Sequence, residues 1–276
     1  KAANMEYEIK PAKGLQFNLK ELWDFRELIY FFTLRDVKIK YKQTVLGALW
    51  AILQPFLLMV IFTVFFAAHL DIQSYNLPYP VFVFSGLILW NVFATGISTA
   101  GNSMVVNSNI IKKIYFPRLI IPISGILGTL VDFSVTLLMF IVVLFYYLPS
   151  FSFLSICVLL PLSLFITLMT TFGAGCFLAA LNVKYRDFRY IIPFMIQVLL
   201  FLTPVIYPVS IIKNEGVKML LNLNPIAGAI DILRGAINGT SPSLALVGQC
   251  LLISFILFSV GLSYFRKTEY YFADLA

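Results

Sequence analysis

Six apolar stretches, each long enough to cross a bilayer, leave this chain few folds to choose from. They cover residues 45–70, 79–100, 119–148, 153–181, 190–212 and 243–265, and Asp132 is the only Asp, Glu, Lys or Arg inside them. A spanning helix needs about 20 such residues. Hydrocarbon offers the backbone no water to bond with, so runs of this kind pair their N–H and C=O groups internally as helices. An all-α membrane protein with six transmembrane helices is expected. Composition agrees, at 60% hydrophobic and 12% charged residues, against about 45–50% and about 25% in soluble proteins.

The net charge of +7 would suggest a nucleic-acid partner if it formed a patch on a soluble domain. Here the positive residues fall at span ends, which reads as topological anchoring, and no nucleic acid is expected. Nine Lys/Arg precede residue 45, three lie in 101–118 (Lys112, Lys113, Arg118), three in 182–189 (Lys184, Arg186, Arg189), and two follow the last span (Arg266, Lys267). Six spans put all of these on one side, leaving only Lys213, Lys218 and Arg234 on the other. By the positive-inside rule both termini are expected to be cytoplasmic. The chain then divides into a cytoplasmic N-terminal segment (1–44), the membrane domain (45–268) and a short tail (269–276). No short apolar stretch with a small-residue cleavage site follows the polar start, so a cleaved signal peptide is not expected.

Two segments associate with the membrane without spanning it. In 19–37, Leu22, Phe25, Ile29 and Phe32 form one helical stripe, with Trp23 and Tyr30 nearby. Asp24, Arg26, Glu27, Arg35 and Asp36 interrupt it, so an amphipathic helix in the interface is expected. The alternative, packing on a cytoplasmic domain, has little other cytoplasmic chain to use. In the external segment 209–242, Asn224-Pro225 reads as a helix start, and Ile226, Ile230, Leu233 and Ile237 mark a stripe ending at Gly239. Such a helix is too short to cross, so it is re-entrant or lies at the outer surface. Gly235 and Gly239 permit close helix contact, though such pairs arise by chance. Asn238-Gly239-Thr240 matches a glycosylation acceptor by coincidence.

Little in the sequence supports chemistry. One histidine, His69, supports neither a metal site nor a triad. Cys157, Cys176 and Cys250 lie in apolar runs without ligand spacing and read as packing residues. No Gly-x-x-x-x-Gly-Lys-Ser/Thr loop occurs, so any ATP hydrolysis by that route belongs to another polypeptide. The chain is expected to be no enzyme and to bind no cofactor or metal. Asp132 is the costly residue, at about 2.5–3.5 kcal/mol for a charge at mid-bilayer. A proton or cation site competes there with a hydrogen bond to Ser or Thr on a neighbouring helix, which is the expectation because no span offers a second acid or a base. Aromatic residues are 16% of the chain, and most fill lipid-facing or interhelical surface. Phe194 and Phe201, seven apart with Gln197 near their face, and Trp50 and Phe56 in the first span could instead offer stacking faces to sugar rings.

Several segments together carry a resemblance. They are Tyr41-Lys-Gln-Thr-Val-Leu-Gly-Ala-Leu-Trp-Ala-Ile-Leu-Gln-Pro55, Asn107-Ser-Asn-Ile-Ile-Lys-Lys-Ile-Tyr-Phe-Pro-Arg118 with Ile121-Pro122, Asn182-Val-Lys-Tyr-Arg-Asp187, Thr203-Pro-Val-Ile-Tyr-Pro208, Asn224-Pro225 and Arg234. In this order, on six spans, the chain resembles the permease subunit of ABC-2 type polysaccharide exporters, which carry O-antigen, capsule or teichoic acid chains out of bacteria. The resemblance implies a homodimer in the bacterial inner membrane, among membrane lipids, driven by two copies of an ABC ATP-binding subunit that holds the ATP and Mg. It implies lipid-linked polysaccharide as cargo, O-antigen first. Asn107, Asn109, Lys112, Lys113, Tyr115, Pro117 and Arg118 would couple to the ATPase. Tyr41, Gln43, Thr44, Leu46 and Gly47 would lie at the cytoplasmic entrance. Trp50, Phe56, Phe194, Gln197, Phe201 and Tyr207 are candidates for the channel lining, and Asn224, Pro225, Asp231 and Arg234 for an external gate. Two alternatives stay open: a proton-coupled secondary carrier, suggested by Asp132 and the prolines within spans, and an ABC-2 permease for lipids or drugs.

Overall fold

A computed structural model describes residues 19–42, 47–66, 77–148 and 151–269. His69, Gln43, Thr44 and Leu46, with the ends of the N- and C-terminal segments, lie outside the described residues. All regular structure among the described residues is helical: α1 (Leu19–Asp24), α2 (Arg26–Lys42), α3 (Gly47–Phe66), α4 (Tyr79–Val106), α5 (Ser108–Ile111), α6 (Ile120–Tyr147), α7 (Phe153–Lys184), α8 (Phe188–Leu202), α9 (Glu215–Asn222), α10 (Pro225–Ile237) and α11 (Leu244–Glu269), with one 3₁₀ turn at Val209–Ile211. Five helices, α3, α4, α6, α7 and α11, are long and apolar enough to cross a bilayer singly.

The fifth expected span, 190–212, is not one helix. α8 ends at Leu202, and the reason is chemical. Pro204 and Pro208 lack the N–H groups that would continue the helix by bonding to Leu200 and Pro204 carbonyls. The crossing is nonetheless completed. Near its start Ile192 packs against Gly101 of α4, and at its far end the Ile206 carbonyl accepts from the Tyr79 hydroxyl at the beginning of α4. Gly101 and Tyr79 are about 33 Å apart along α4 at 1.5 Å per residue, close to the roughly 30 Å hydrocarbon thickness. The chain therefore crosses six times, and in the fifth crossing a 15-residue helix hands over to turns and bends over 203–207.

The segment after that crossing returns to the end it left. Ile206 lies beside the first residue of α4, and Gly239 approaches Ser152 just before α7, so both flanks of α9 and α10 are at one end of the bundle. α9 and α10 meet at a bend of 87° and make a re-entrant segment. This distal end stands opposite the basal end, which carries α1, α2, α5 and the turn before α8. Asn224 caps α10, its side chain accepting from the Ile226 N–H at 3.0 Å with Pro225 in the first turn, as the sequence suggests. α10 is buried on nearly all sides among α4, α7 and α11. Its close helix contact falls at Gly228 against Cys250, and not at the Gly235/Gly239 pair. Gly239, at φ 71°, ends the helix.

The main core lies between α4, α6, α7, α8 and α10, and α4 is its centre, with Phe82, Phe84, Leu87, Ile88 and Leu89 all sealed. α7 and α11 meet at Gly173 and Gly261, where a Cβ on either residue would strike the other helix's backbone. A second cluster sits at the basal end. There the stripe of α1 and α2 (Leu22, Phe25, Ile29, Phe32) closes on Met104, Ile111, Phe116, Leu119 and Phe265, at or next to the basal ends of α4, α6 and α11. The sequence expects that stripe to meet lipid, but it meets protein. Trp23, Tyr30 and Phe31 are the exposed aromatics of this segment.

Candidate functional site

The distal site is built around a break in the membrane-crossing backbone. Carbonyls freed by a helix end inside a bilayer must find donors, at a cost of several kcal/mol each if they do not. Here each is met. The Phe201 carbonyl accepts from the Tyr207 hydroxyl at 2.8 Å, and the Thr203 carbonyl from the Val205 N–H at 2.6 Å. Arg234 supplies the next two, Nη1 donating to Pro204 O at 2.9 Å and Nη2 to Val205 O at 2.7 Å. Tyr79 supplies Ile206.

Arg234 is 2% exposed and is the bulkiest fully buried side chain among the described residues. Its Nη2 also donates to Phe82 O at 3.1 Å, and its guanidinium lies 3.5 Å from the centroid of the Phe82 ring, so the ring face supplies cation–π attraction in a dry setting. Gly86 makes the space, since a Cβ there would stand 3.0 Å from both Arg234 Nη2 and Val205 O. Asn224 joins the same assembly, its side-chain amide donating to Thr203 Oγ1 at 2.9 Å. Of the four residues expected at an external gate, Asn224, Pro225 and Arg234 meet here, while Asp231 is half-buried on α10. Tyr79 and Gly86 were not anticipated; a glycine and a tyrosine in an apolar run carry no signal of their own.

The basal site is a projecting loop with fixed ends. α4 continues to Val106, so the connection expected at 101–118 begins only at Asn107. Asn107 is buried and accepts from Arg35 Nη2 of α2 at 2.8 Å, while its own amide donates to Ser103 O at 2.9 Å. At the other end Phe116 packs on Phe32 with ring centroids 5.7 Å apart, Pro117 is buried, and Arg118 donates to the Glu269 backbone at the end of α11. Between these anchors Lys112, Lys113, Ile114 and Tyr115 are exposed, as is Asn109 on α5. The loop borders a groove of about 570 Å³ lined by Asp24, Phe25, Glu27, Leu28, Phe31 and residues 114–116. Arg35 and Glu269, the anchoring partners, were missed by the sequence because charged residues near a membrane surface read as anchors.

Asp132 does not bond a Ser or Thr on a neighbouring helix. Lys40 Nζ and the Tyr41 hydroxyl of α2 both donate to its carboxylate. Burial, reinforced by the Asp132 carboxylate, raises the Tyr41 hydroxyl above the usual tyrosine range and keeps it a donor. Nor is Asp132 at mid-bilayer. Tyr146 and Tyr147 end α6 as exposed aromatics, and about 22 Å of helix separates Tyr147 from Asp132, leaving roughly 8 Å to the basal boundary of a 30 Å core.

The channel-lining candidates divide. Phe194 (67% exposed), Phe201 (64% exposed) and Gln197 share the open face of α8 with Tyr190 and Val198, whereas Ile192 is the one buried residue of that helix. Trp50 is 54% exposed on α3. Phe56 packs against the main core, and Tyr207 folds back on the end of α8. Of the entrance residues, Gly47 opens α3 and Tyr41 is committed to Asp132.

Comparison with known proteins places this architecture. The O-antigen export system permease protein RfbA of Klebsiella pneumoniae is 30% identical over 95% of this chain and 98% of its own length. The protein of the same name from Myxococcus xanthus is 30% identical over 75% of this chain and 79% of its own. The polysialic acid transport protein KpsM of Escherichia coli is 22% identical over 86% and 91%. The model of the ABC-2 type transporter family matches residues 27–238, a stretch that holds the α2 anchor, the basal loop, the broken fifth crossing and Arg234, and the chain belongs to that family of transporter membrane subunits.

Proposed function

We propose that the chain is the membrane subunit of an ATP-driven exporter of lipid-linked polysaccharide, with O-antigen the cargo class its relatives' names favour. A separate ATP-binding subunit supplies the energy and holds the ATP and Mg, in keeping with the lack of a phosphate-binding loop in this sequence. Two copies of each subunit form the working unit in the bacterial inner membrane. The basal end, which carries most of the positive charge, faces the cytoplasm.

The observation that carries this reading is the basal loop. Lys112, Lys113, Ile114 and Tyr115 project beside an apolar groove rimmed by Asp24 and Glu27, a surface suited to a mixed polar and apolar partner. Its ends are tied to α2 through Arg35 and Phe32 and to α11 through Arg118. A push on the tip by the ATPase is then delivered to the helices and not absorbed by the loop. The open faces of α8 and α3, with Phe194, Phe201 and Trp50 exposed, serve the pathway and the second copy.

Replacing Lys112, Lys113 and Tyr115 together by Ala tests the assignment. Insertion and abundance should be unchanged, while export of glycan to the cell surface and cargo-stimulated ATP hydrolysis fall at least tenfold. Normal ATP-dependent export by the triple variant would falsify the coupling role.

A further inference from the structure

We propose that Arg234 is a positioning residue that makes residues 203–206, α10 and the distal end of α4 one rigid unit, so that any distal opening moves this unit whole. A gate formed by the external segment alone would need α10 to swing as a flap. The bonding argues otherwise. One guanidinium reaches three backbone carbonyls on two elements, Phe82 O on α4 and Pro204 O and Val205 O in the break, from a side chain rooted in a third, α10. Asn224 ties the start of α10 to Thr203, and Tyr79 ties the start of α4 to Ile206. Swinging α10 away would strip donors from Pro204 and Val205 together, inside a layer with no water to replace them.

The geometry also explains the residue type. The two Nη atoms diverge to different carbonyls while the guanidinium plane lies over Phe82. A planar five-donor fork does this, and a lysine ammonium is a point donor on a flexible stem. Gly86 keeps the space that fork and the Val205 carbonyl occupy. A break in a spanning helix, a buried arginine and a glycine opposite it are thus one device.

The proposal rests on the transport reading only for its motion, so its test has two arms. In the first, the permease alone in lipid nanodiscs is followed by hydrogen exchange. Arg234→Ala should accelerate exchange across 203–207 and across α10 by tenfold or more, with Arg234→Lys in between and 101–111 unchanged. Exchange that stays at the wild-type rate in Arg234→Ala overturns the clamp, whatever the chain transports.

In the second arm, Thr203→Cys and Asn224→Cys are introduced with the three native cysteines replaced by Ala, and a short bifunctional thiosulfonate bridges the new pair in the assembled transporter. Bridged protein should export within twofold of unbridged protein. Export that stops on bridging and returns on reduction shows that α10 moves against the break and overturns the rigid unit. Should the double-cysteine protein be inactive before bridging, wild-type exchange with and without a non-hydrolysable ATP analogue decides the point. The 203–207 and α10 segments must then change together, and a change confined to one of them overturns the proposal. An ATPase that fails to assemble at all tells against the transport reading and leaves the first arm standing.

Discussion

Arg234 at the distal end and Asp132 toward the basal end are two charged groups set among apolar helices, and the bundle accommodates them in opposite ways. Arg234 is sealed, and its partners are backbone carbonyls, two in the break after α8 and one on α4. Asp132 sits near the boundary, and its partners are side chains of α2, one of them, Lys40, 51% exposed along its side chain. The first cation cannot leave without stranding the backbone. The second pair can part and let water in. A charge in a membrane protein is thus fixed by what depends on it more than by its own cost.

The largest effect should come from breaking the distal arrangement. Arg234→Ala leaves Pro204 and Val205 carbonyls unpaired in a dry site, a loss of about 2–6 kcal/mol when each buried orphan costs about 1–3. Membrane abundance should fall severalfold, and thermal melting of the purified protein should drop well below wild type. Arg234→Lys should recover part of this, because one ammonium reaches one or two of the three carbonyls. Equal stability of Ala and wild type would remove the contrast with Asp132.

Gly86→Ala comes next. The added methyl would stand 3.0 Å from Val205 O and from the guanidinium, and overpacking of this kind costs about 1–3 kcal/mol. Because one of the atoms is backbone, the break itself must shift. A melting temperature lowered by Gly86→Ala, with a smaller further drop when Arg234→Lys is added than in the wild-type background, would mark the two positions as one coupled site.

How much of this was legible in the sequence differs between the two ends. Apolar length placed all six crossings, and the resemblance brought Asn224, Pro225 and Arg234 together. The prolines at 204 and 208, four apart, already announce a helix that cannot continue, yet hydropathy alone extends the fifth span to 212. Arg234 is also legible as a buried residue. It falls four after Ile230 and three before Ile237, on the apolar stripe and not beside it. What no local pattern reveals is the partner: Val205 and Phe82 become its neighbours only when α8 and α4 pack. The basal pair is harder still. Lys40 and Tyr41 reach Asp132 from more than ninety positions away in sequence, and a stripe that reads as lipid-facing turns out to pack on protein.

Breaking the basal latch should cost less. Asp132→Asn keeps an acceptor for Tyr41 and loses only a partly solvated ion pair, a class worth about 0–1 kcal/mol. Stability within about 1 kcal/mol of wild type, near-normal transport and an unchanged pH dependence of transport are expected. Asp132→Ala, which strands the raised Tyr41 hydroxyl as well, should be the worse of the two. Loss of transport in Asp132→Asn at normal abundance would restore proton coupling as a serious reading and make the basal site the functional centre.

The smallest effect on stability should come from the face of α8 that lies between these two sites. Phe194 and Phe201 are exposed in a single copy of the chain, so replacing either by Leu or Tyr should leave melting unchanged to within about 0.5 kcal/mol, as for substitutions away from packed features. Export is where they should register. The two rings are about 10.5 Å apart along the helix, comparable to about two sugar units, and Gln197 between them offers an amide for hydroxyls. Aromatic rings stack on the apolar faces of sugars, and successive sugars present similar faces, so a ring vacated by one unit can receive the next. Leu removes the stacking face and keeps the bulk, whereas Tyr keeps the face and adds a hydroxyl that a wet pathway tolerates. If this face meets cargo, Phe→Leu should slow export more than Phe→Tyr at matched abundance. The reverse order, with Leu accepted and Tyr harmful, would mean that the face is dry and packs against the second copy or lipid. The pathway would then have to be sought on α3, where Trp50 is exposed.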